Sequence, residues 1–373
     1  MHRGVHEFIV WIEQHPEIAG VTKNPPAQAV EIGLVEERIA SPLPADLRLM
    51  LARHNGGPLP SGQLLHVGGD GPDSMLTVLE ILARRLEKPV RDPELLFPFY
   101  RTDDGGILAF DRSAGPVSDT WPIIDYYMES GEQRLVHRTF DGFCRLRVAE
   151  WTSADFGAEF TLDSYLRSGE RHVAIEPDVS IAHATVAHAL RRAGRPEDAL
   201  QSYLRAARCV PAQPWCDWEA LKMAALLGDA RAGLEAGGRV SARAPRARWE
   251  QRETTPAQVA DVLAVLAPRL DPRREQLLRI YDQLAEQVDE DSDRQHIVAV
   301  RKALFAEEEP PTPANPRTSS IPPSGDRAQW MNALKEAYRQ GAVRDEDLLL
   351  DPAFAKHRAK FALGEVLRVR RGF

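Results

Sequence analysis

The sequence predicts an α+β N-terminal domain, a twisted antiparallel sheet with flanking helices, followed by an all-α helical array. Three observations predict it. Strand-like runs between residues 95 and 136 are joined by an Asp-Gly turn. From about residue 178 the apolar pattern is almost entirely helical. Inside that stretch Pro177, Pro211 and Pro245 are spaced 34 residues apart. A chain of 373 residues has room for two or three domains at about 100–200 residues each.

The N-terminal elements follow in order. Val5–Glu13 reads as a short helix, and Glu31–Ala40, followed by Ser41-Pro-Leu-Pro44, as a second. In Ala45–His54, Leu47, Met50 and Leu51 share one helical face behind Pro44. Asn55-Gly56-Gly57-Pro58 ends that helix, because Asn and Gly accept positive φ and Pro cannot continue the ladder. After the loop His66–Pro72 a helix is expected over Asp73–Leu86. Strands Leu95–Arg101 and Ile107–Asp111 flank the turn Thr102-Asp-Asp-Gly-Gly106. Two more are expected at Trp121–Tyr127 and Arg134–Val136, and a closing helix over Thr139–Val148 carries Phe140, Phe143 and Cys144 on one face.

The helical stretch repeats. Gly194 and Gly228, Ala199 and Gly233, and Ala206 and Val240 keep the same 34-residue offset as the prolines. Gly at an inter-helix turn, small residues where paired helices cross and a closing Pro make residues 181–211 similar to a tetratricopeptide (TPR) unit, with a weaker second unit at 214–247. Helices Pro256–Leu266, Arg273–Val288 and Asp293–Phe305 then lose the period. Residues 306–325 read as a proline-rich linker, and a last helix over Arg327–Arg339 opens a tail at 326–373. The expected organisation is therefore a first domain at 1–170, a TPR-like array at 171–305, the linker and the tail.

Charge is unevenly spread. Residues 1–170 carry 16 basic and 26 acidic side chains, so the net charge of −8 has its origin there. That disfavours nucleic acid, which demands clustered Lys and Arg, and suits a basic protein partner. No run approaches the ~20 apolar residues needed to cross a bilayer, so no membrane association and a cytoplasmic location are expected. Cys144, Cys209 and Cys216 form no C-x-x-C pair, which argues against a disulfide framework or a structural zinc site.

An ordered set of short motifs runs from Leu43-Pro44 through His54-Asn55-Gly56-Gly57, Phe97-Pro98-Phe99, Asp104-Gly105-Gly106 and Leu108-Ala-Phe110-Asp111 to Thr139-Phe140-x-x-Phe143. With these, residues 31–150 resemble the SUKH superfamily, which unites bacterial immunity proteins against secreted toxins with fungal cell-wall synthesis regulators. The resemblance implies a twisted antiparallel sheet with flanking helices. The sequence departs from it in an insertion at Asp70–Pro93, which carries an extra helix, and in Thr139 where serine is commoner.

No G-x-S-x-G, P-loop, G-x-G-x-x-G or H-E-x-x-H motif occurs, so no catalytic residue, cofactor or metal is assigned. His2 and His6, at a chain terminus, lack a third ligand. His183 and His188 stand about 140° apart on a helix of ~3.6 residues per turn, too far round to share an ion. Two candidate protein-binding surfaces remain. One is an acidic face carrying Asp70, Asp73, Asp119, Asp125, Glu129 and Glu132, able to mimic phosphates toward a basic toxin. The other is a TPR-like groove with His188, Arg191, Trp215, Trp218 and Lys222, suited to a peptide with apolar and acidic groups. The leading expectation is a non-catalytic, immunity-type protein that binds and neutralises a toxin or effector. An adaptor bridging two partners and an enzyme with a dispersed site are the alternatives.

Overall fold

The computed structural model describes residues 2–20, 24–69, 71–85, 95–115, 121–127, 133–213, 215–242, 255–269, 274–288, 290–306, 310–314, 316–317, 326–360 and 363–372. The chain forms two compact units, one of Met1–Phe160 with Glu170–Ala182, the other of Thr161–Gly169 with His183–Phe373. The first is α+β and the second is helical throughout, as the sequence predicts.

The first unit begins with α1 (Arg3–Gln14), α2 (Ala29–Arg38) and α3 (Ala45–Leu51), then β1 (Gly57–Leu59) and β2 (Gly62–Leu64). After α4 (Met75–Arg85) come β3 (Leu96–Thr102), β4 (Gly106–Asp111), β5 (Ile123–Tyr127), β6 (Gln133–His137) and α5 (Phe140–Trp151). All six strands pair antiparallel with their chain neighbours, in the order β1-β2-β3-β4-β5-β6. Pro98 sits in β3 beyond the last β2 pair, Leu64 with Tyr100, and opposite Ala109 of β4, and the β3–β4 register shifts between Pro98 and Tyr100. A bulge of this kind accommodates a residue that has no N–H to give.

The core lies between the sheet and its helices. Phe8, Phe97, Phe99, Tyr100, Phe110, Trp121, Phe140 and Phe143 are buried together, each contributing on the order of 1.5–3 kcal/mol of transfer free energy. Phe99 stands edge-on to Phe143, with ring centroids 5.3 Å apart, and α1 joins this core through Phe8 and Trp11 against Trp151. The His54-Asn55-Gly56-Gly57 segment owes its composition to one bridge. Asn55 Oδ1 accepts the Val67 N–H at 2.8 Å while its Nδ2 donates to the Val67 carbonyl at 2.9 Å. Gly56 has a φ of 73°, and a Cβ there would lie 2.6–2.8 Å from His66, so only glycine fits.

A helix over α6 (Leu162–Ile175) contributes its first half to the second unit and its last residues to the first. The second unit continues with α7 (Ser180–Arg192), α8 (Pro196–Arg208), α9 (Trp215–Leu227) and α10 (Ala230–Ala242). These form two helix pairs, each turning at a glycine with positive φ, Gly194 and Gly228. Then come α11 (Pro256–Leu266), α12 (Arg274–Glu286) and α13 (Asp291–Ala306). Gly233 and Gly237 of α10 face Leu266 and Leu263 of α11, so these small residues admit the next helix. The segment after 325 folds as α14 (Arg327–Arg339), α15 (Asp345–Leu350) and α16 (Ala355–Lys360), followed by a 3₁₀ turn at Leu363–Arg368. It packs within the same unit, α15 against α9 and α11, and the final turn against α8, α9 and α14.

Candidate functional site

Three places, two in the first unit and one in the second, carry unusual polar chemistry. The acidic candidates are the first. Asp70, Asp119, Glu129 and Glu132 lie outside the described residues. Asp73 is paired with Arg101, Oδ1 to guanidinium at 2.9 Å. Asp125 lies in β5, one strand in from the edge of the sheet, opposite Leu108 on one side and Arg134 on the other, and is buried. Burial, helped by the charge of Asp104, pushes its carboxyl up to about 6 against the opposing hydrogen bond from Tyr127. The two described members of the expected acidic face therefore serve an ion pair and a sheet interior. Asp103 and Asp104 are exposed at the β3–β4 turn, where Asp104 accepts the Thr102 hydroxyl.

The groove candidates are the second place. Lys222 is 3% exposed, with its ammonium 2.7 Å from Glu219 and also against Glu346 of α15. Arg191 joins Glu219 at 2.7 Å and Asp345 at 2.5 Å, and Asp345 also accepts the Tyr338 hydroxyl at 2.9 Å. Burial lowers the pKa of both cations, but their acidic partners outweigh it and hold both above their ordinary values. Trp215 and Trp218 are buried, Trp215 edge-on to Tyr203 and Trp218 beneath the Lys222 ammonium. His188 contacts Tyr165, and burial together with Arg191, Arg192 and Arg371 lowers its pKa to about 4. These five residues lie in one unit, the second. Arg191 and Lys222 meet acidic groups of the chain's own α15, so for these two the acidic partner chemistry foreseen for a peptide is supplied internally.

The third place was not foreseen from sequence. His137, at the end of β6, has Nδ1 2.6 Å from Glu176 Oε2. Glu176 follows the last turn of α6, and its Oε1 accepts the Arg138 N–H at 2.7 Å. His172, one turn earlier on α6, places Nε2 3.5 Å from the same Oε2, outside hydrogen-bond geometry. Burial opposes ionisation of Glu176, but the His137 hydrogen bond, the nearby His172 imidazole and the Arg138 N–H outweigh it and bring its pKa to about 2. Burial lowers the pKa of His137, so a neutral imidazole faces a carboxylate. The carboxylate also rests on the first turn of α5: a Cβ on Gly142 would lie 2.3 Å from Oε1. Among histidines, the sequence had drawn attention only to pairs close in the chain. His2 instead binds Asp46 of α3, and His183 is buried in α7. The i, i+4 pair His172 and Glu176 was the available signal, but His137 reaches it only through the fold.

No helix among the described residues is long and apolar enough to cross a membrane. No curated protein matches the sequence. The sheet-bearing part of the chain does have a recognisable relative type: residues 26–145, from just before α2 into α5, match the model of the SMI1 / KNR4 family (SUKH-1).

Proposed function

We propose that this protein binds and neutralises a toxin or effector protein, without catalysis, through its first unit. The observation that carries the reading is the SUKH-1 match over residues 26–145, because immunity-type binding is one of the roles that the superfamily's members fill. The acidic excess of residues 1–170 supports a basic partner, since opposite charge speeds encounter and suppresses wrong partners. Asp103 and Asp104, exposed at the β3–β4 turn, are among the described carboxylates open to such a partner. Arg191 and Lys222 carry little of this reading, because Asp345 and Glu346 already neutralise them.

Coexpression tests it. The full chain is paired with each toxin-like protein encoded beside it in its native genome, and growth and direct binding are measured across a salt series. Rescue with one such protein, and binding that weakens with salt, is the expected result. Absence of both rescue and binding for every neighbour removes the reading.

An adaptor is the second reading, favoured by the two helix pairs α7–α8 and α9–α10, which we read as TPR-like repeats. It predicts a second partner that the full chain holds simultaneously with the first.

A further inference from the structure

Buried imidazole and carboxylate groups seldom converge without a cation or a shared proton to hold them, and here three converge inside the first unit. One nitrogen of each of His137 and His172 and one oxygen of Glu176 all lie within 4.8 Å of one another. We propose that these three residues form a binding site for a zinc-class divalent cation, a site separate from the toxin-binding reading.

The donor set selects the ion. Two imidazoles and one carboxylate suit zinc and its neighbours, whereas magnesium and calcium prefer all-oxygen shells. Bonds of about 2.0–2.1 Å in a tetrahedron set ligand atoms roughly 3.3 Å apart. The separations of 2.6 and 3.5 Å from Glu176 Oε2 to the two imidazole nitrogens bracket that spacing.

The surroundings prepare the ligands. Glu176 Oε1 is committed to the Arg138 N–H, which orients Oε2 toward the imidazoles. His172 Nε2 is buried, makes no hydrogen bond and lies 3.5 Å from Glu176 Oε2, facing the cluster. His137 is held edge-on to Phe143, with centroids 5.5 Å apart. On binding, the neutral His137 ring carries its one proton on Nε2, which frees Nδ1 for the ion. Three protein ligands leave a fourth position for water.

The test is a calorimetric titration of the chelator-treated full chain with Zn²⁺, repeated with Mg²⁺ and with Co²⁺ followed by visible absorption. One equivalent of Zn²⁺, no uptake of Mg²⁺ and a tetrahedral Co²⁺ spectrum are expected. His172→Ala, with its fold checked by a denaturation curve because the ring also packs on His137, weakens Zn²⁺ binding by more than about 100-fold, the upper range for merely supporting residues. Glu176→Gln keeps an acceptor for Arg138 and loses the anionic ligand, with a similar effect. No Zn²⁺ uptake by the parent chain overturns the proposal, as does unchanged uptake in both variants. Toxin binding plays no part in either readout, so the two proposals fail independently.

Discussion

Glu176 and Arg138 are 38 residues apart, and the carboxylate of one accepts the backbone N–H of the other at 2.7 Å. This bond closes the junction between β6 and α5 with a group brought from beyond α6. It also makes the neighbouring Gly142 a sensitive position.

Replacing a helix glycine by alanine ordinarily stabilises by roughly 0.5–1 kcal/mol. At Gly142 the sign reverses, because the new Cβ would displace Glu176 Oε1, 2.3 Å away. Gly142→Ala is expected to lower the first unit's stability in urea by roughly 1–3 kcal/mol, as for a buried group forced from its partners. In a double-mutant cycle with Glu176→Ala the losses fall short of additive, since the clash disappears with the carboxylate. Additive losses would separate the two residues.

Asp125 gives a pH signature. Its folded pKa, raised from 3.8 to about 6, means that the folded state binds this proton more tightly than the unfolded chain. Stability from this group is therefore full below pH 3.8 and lost as pH rises to 6, up to ~3 kcal/mol. Asp125→Asn removes the penalty, so at pH 7 the variant is more stable than the parent, and at pH 3.5 the two coincide. Denaturant melts at the two pH values decide it.

His188 acts with the opposite slope, in the second unit. A histidine lowered from 6.5 to about 4 leaves the unfolded chain binding more protons, so stability is lost as pH falls from 6.5 to 4. His188→Gln flattens that limb by up to ~3 kcal/mol. Fluorescence of Trp215 and Trp218, buried in the same unit, reports it.

Lys222 holds two carboxylates, Glu219 and Glu346. Lys222→Met retains volume but strands buried negative charge, which costs about 3–5 kcal/mol. Adding Glu346→Gln recovers part of that loss. A denaturation midpoint unchanged in the single variant would show the ion pairs to be dispensable.

The strands β3 to β5 were legible from their apolar and aromatic runs, and Asp104-Gly105 marks the turn between the first two, while β6 shows only Leu135-Val136. β1 and β2 were not: three residues each, with glycine and proline, offer no period to detect. The helix pairs announced themselves through Gly194 and Gly228, whereas their binding face did not. Arg191 and Lys222 look available until α15, more than 100 residues downstream, is seen against them. His137 and Glu176 pair for the same reason, through tertiary contact that no local spacing encodes.

The position of α1 bears on how this protein can be cut or exchanged. The matched residues 26–145 stop short of both Phe8 and Trp151, which touch each other at 5.5 Å, and of Glu176. A fragment trimmed to that match leaves the aromatic layer open to water and His137 without its carboxylate. Recombining this module into another protein, or expressing it alone, calls for a piece reaching from Arg3 to Ala182. Shorter grafts are expected to aggregate through the bared Phe143 surface.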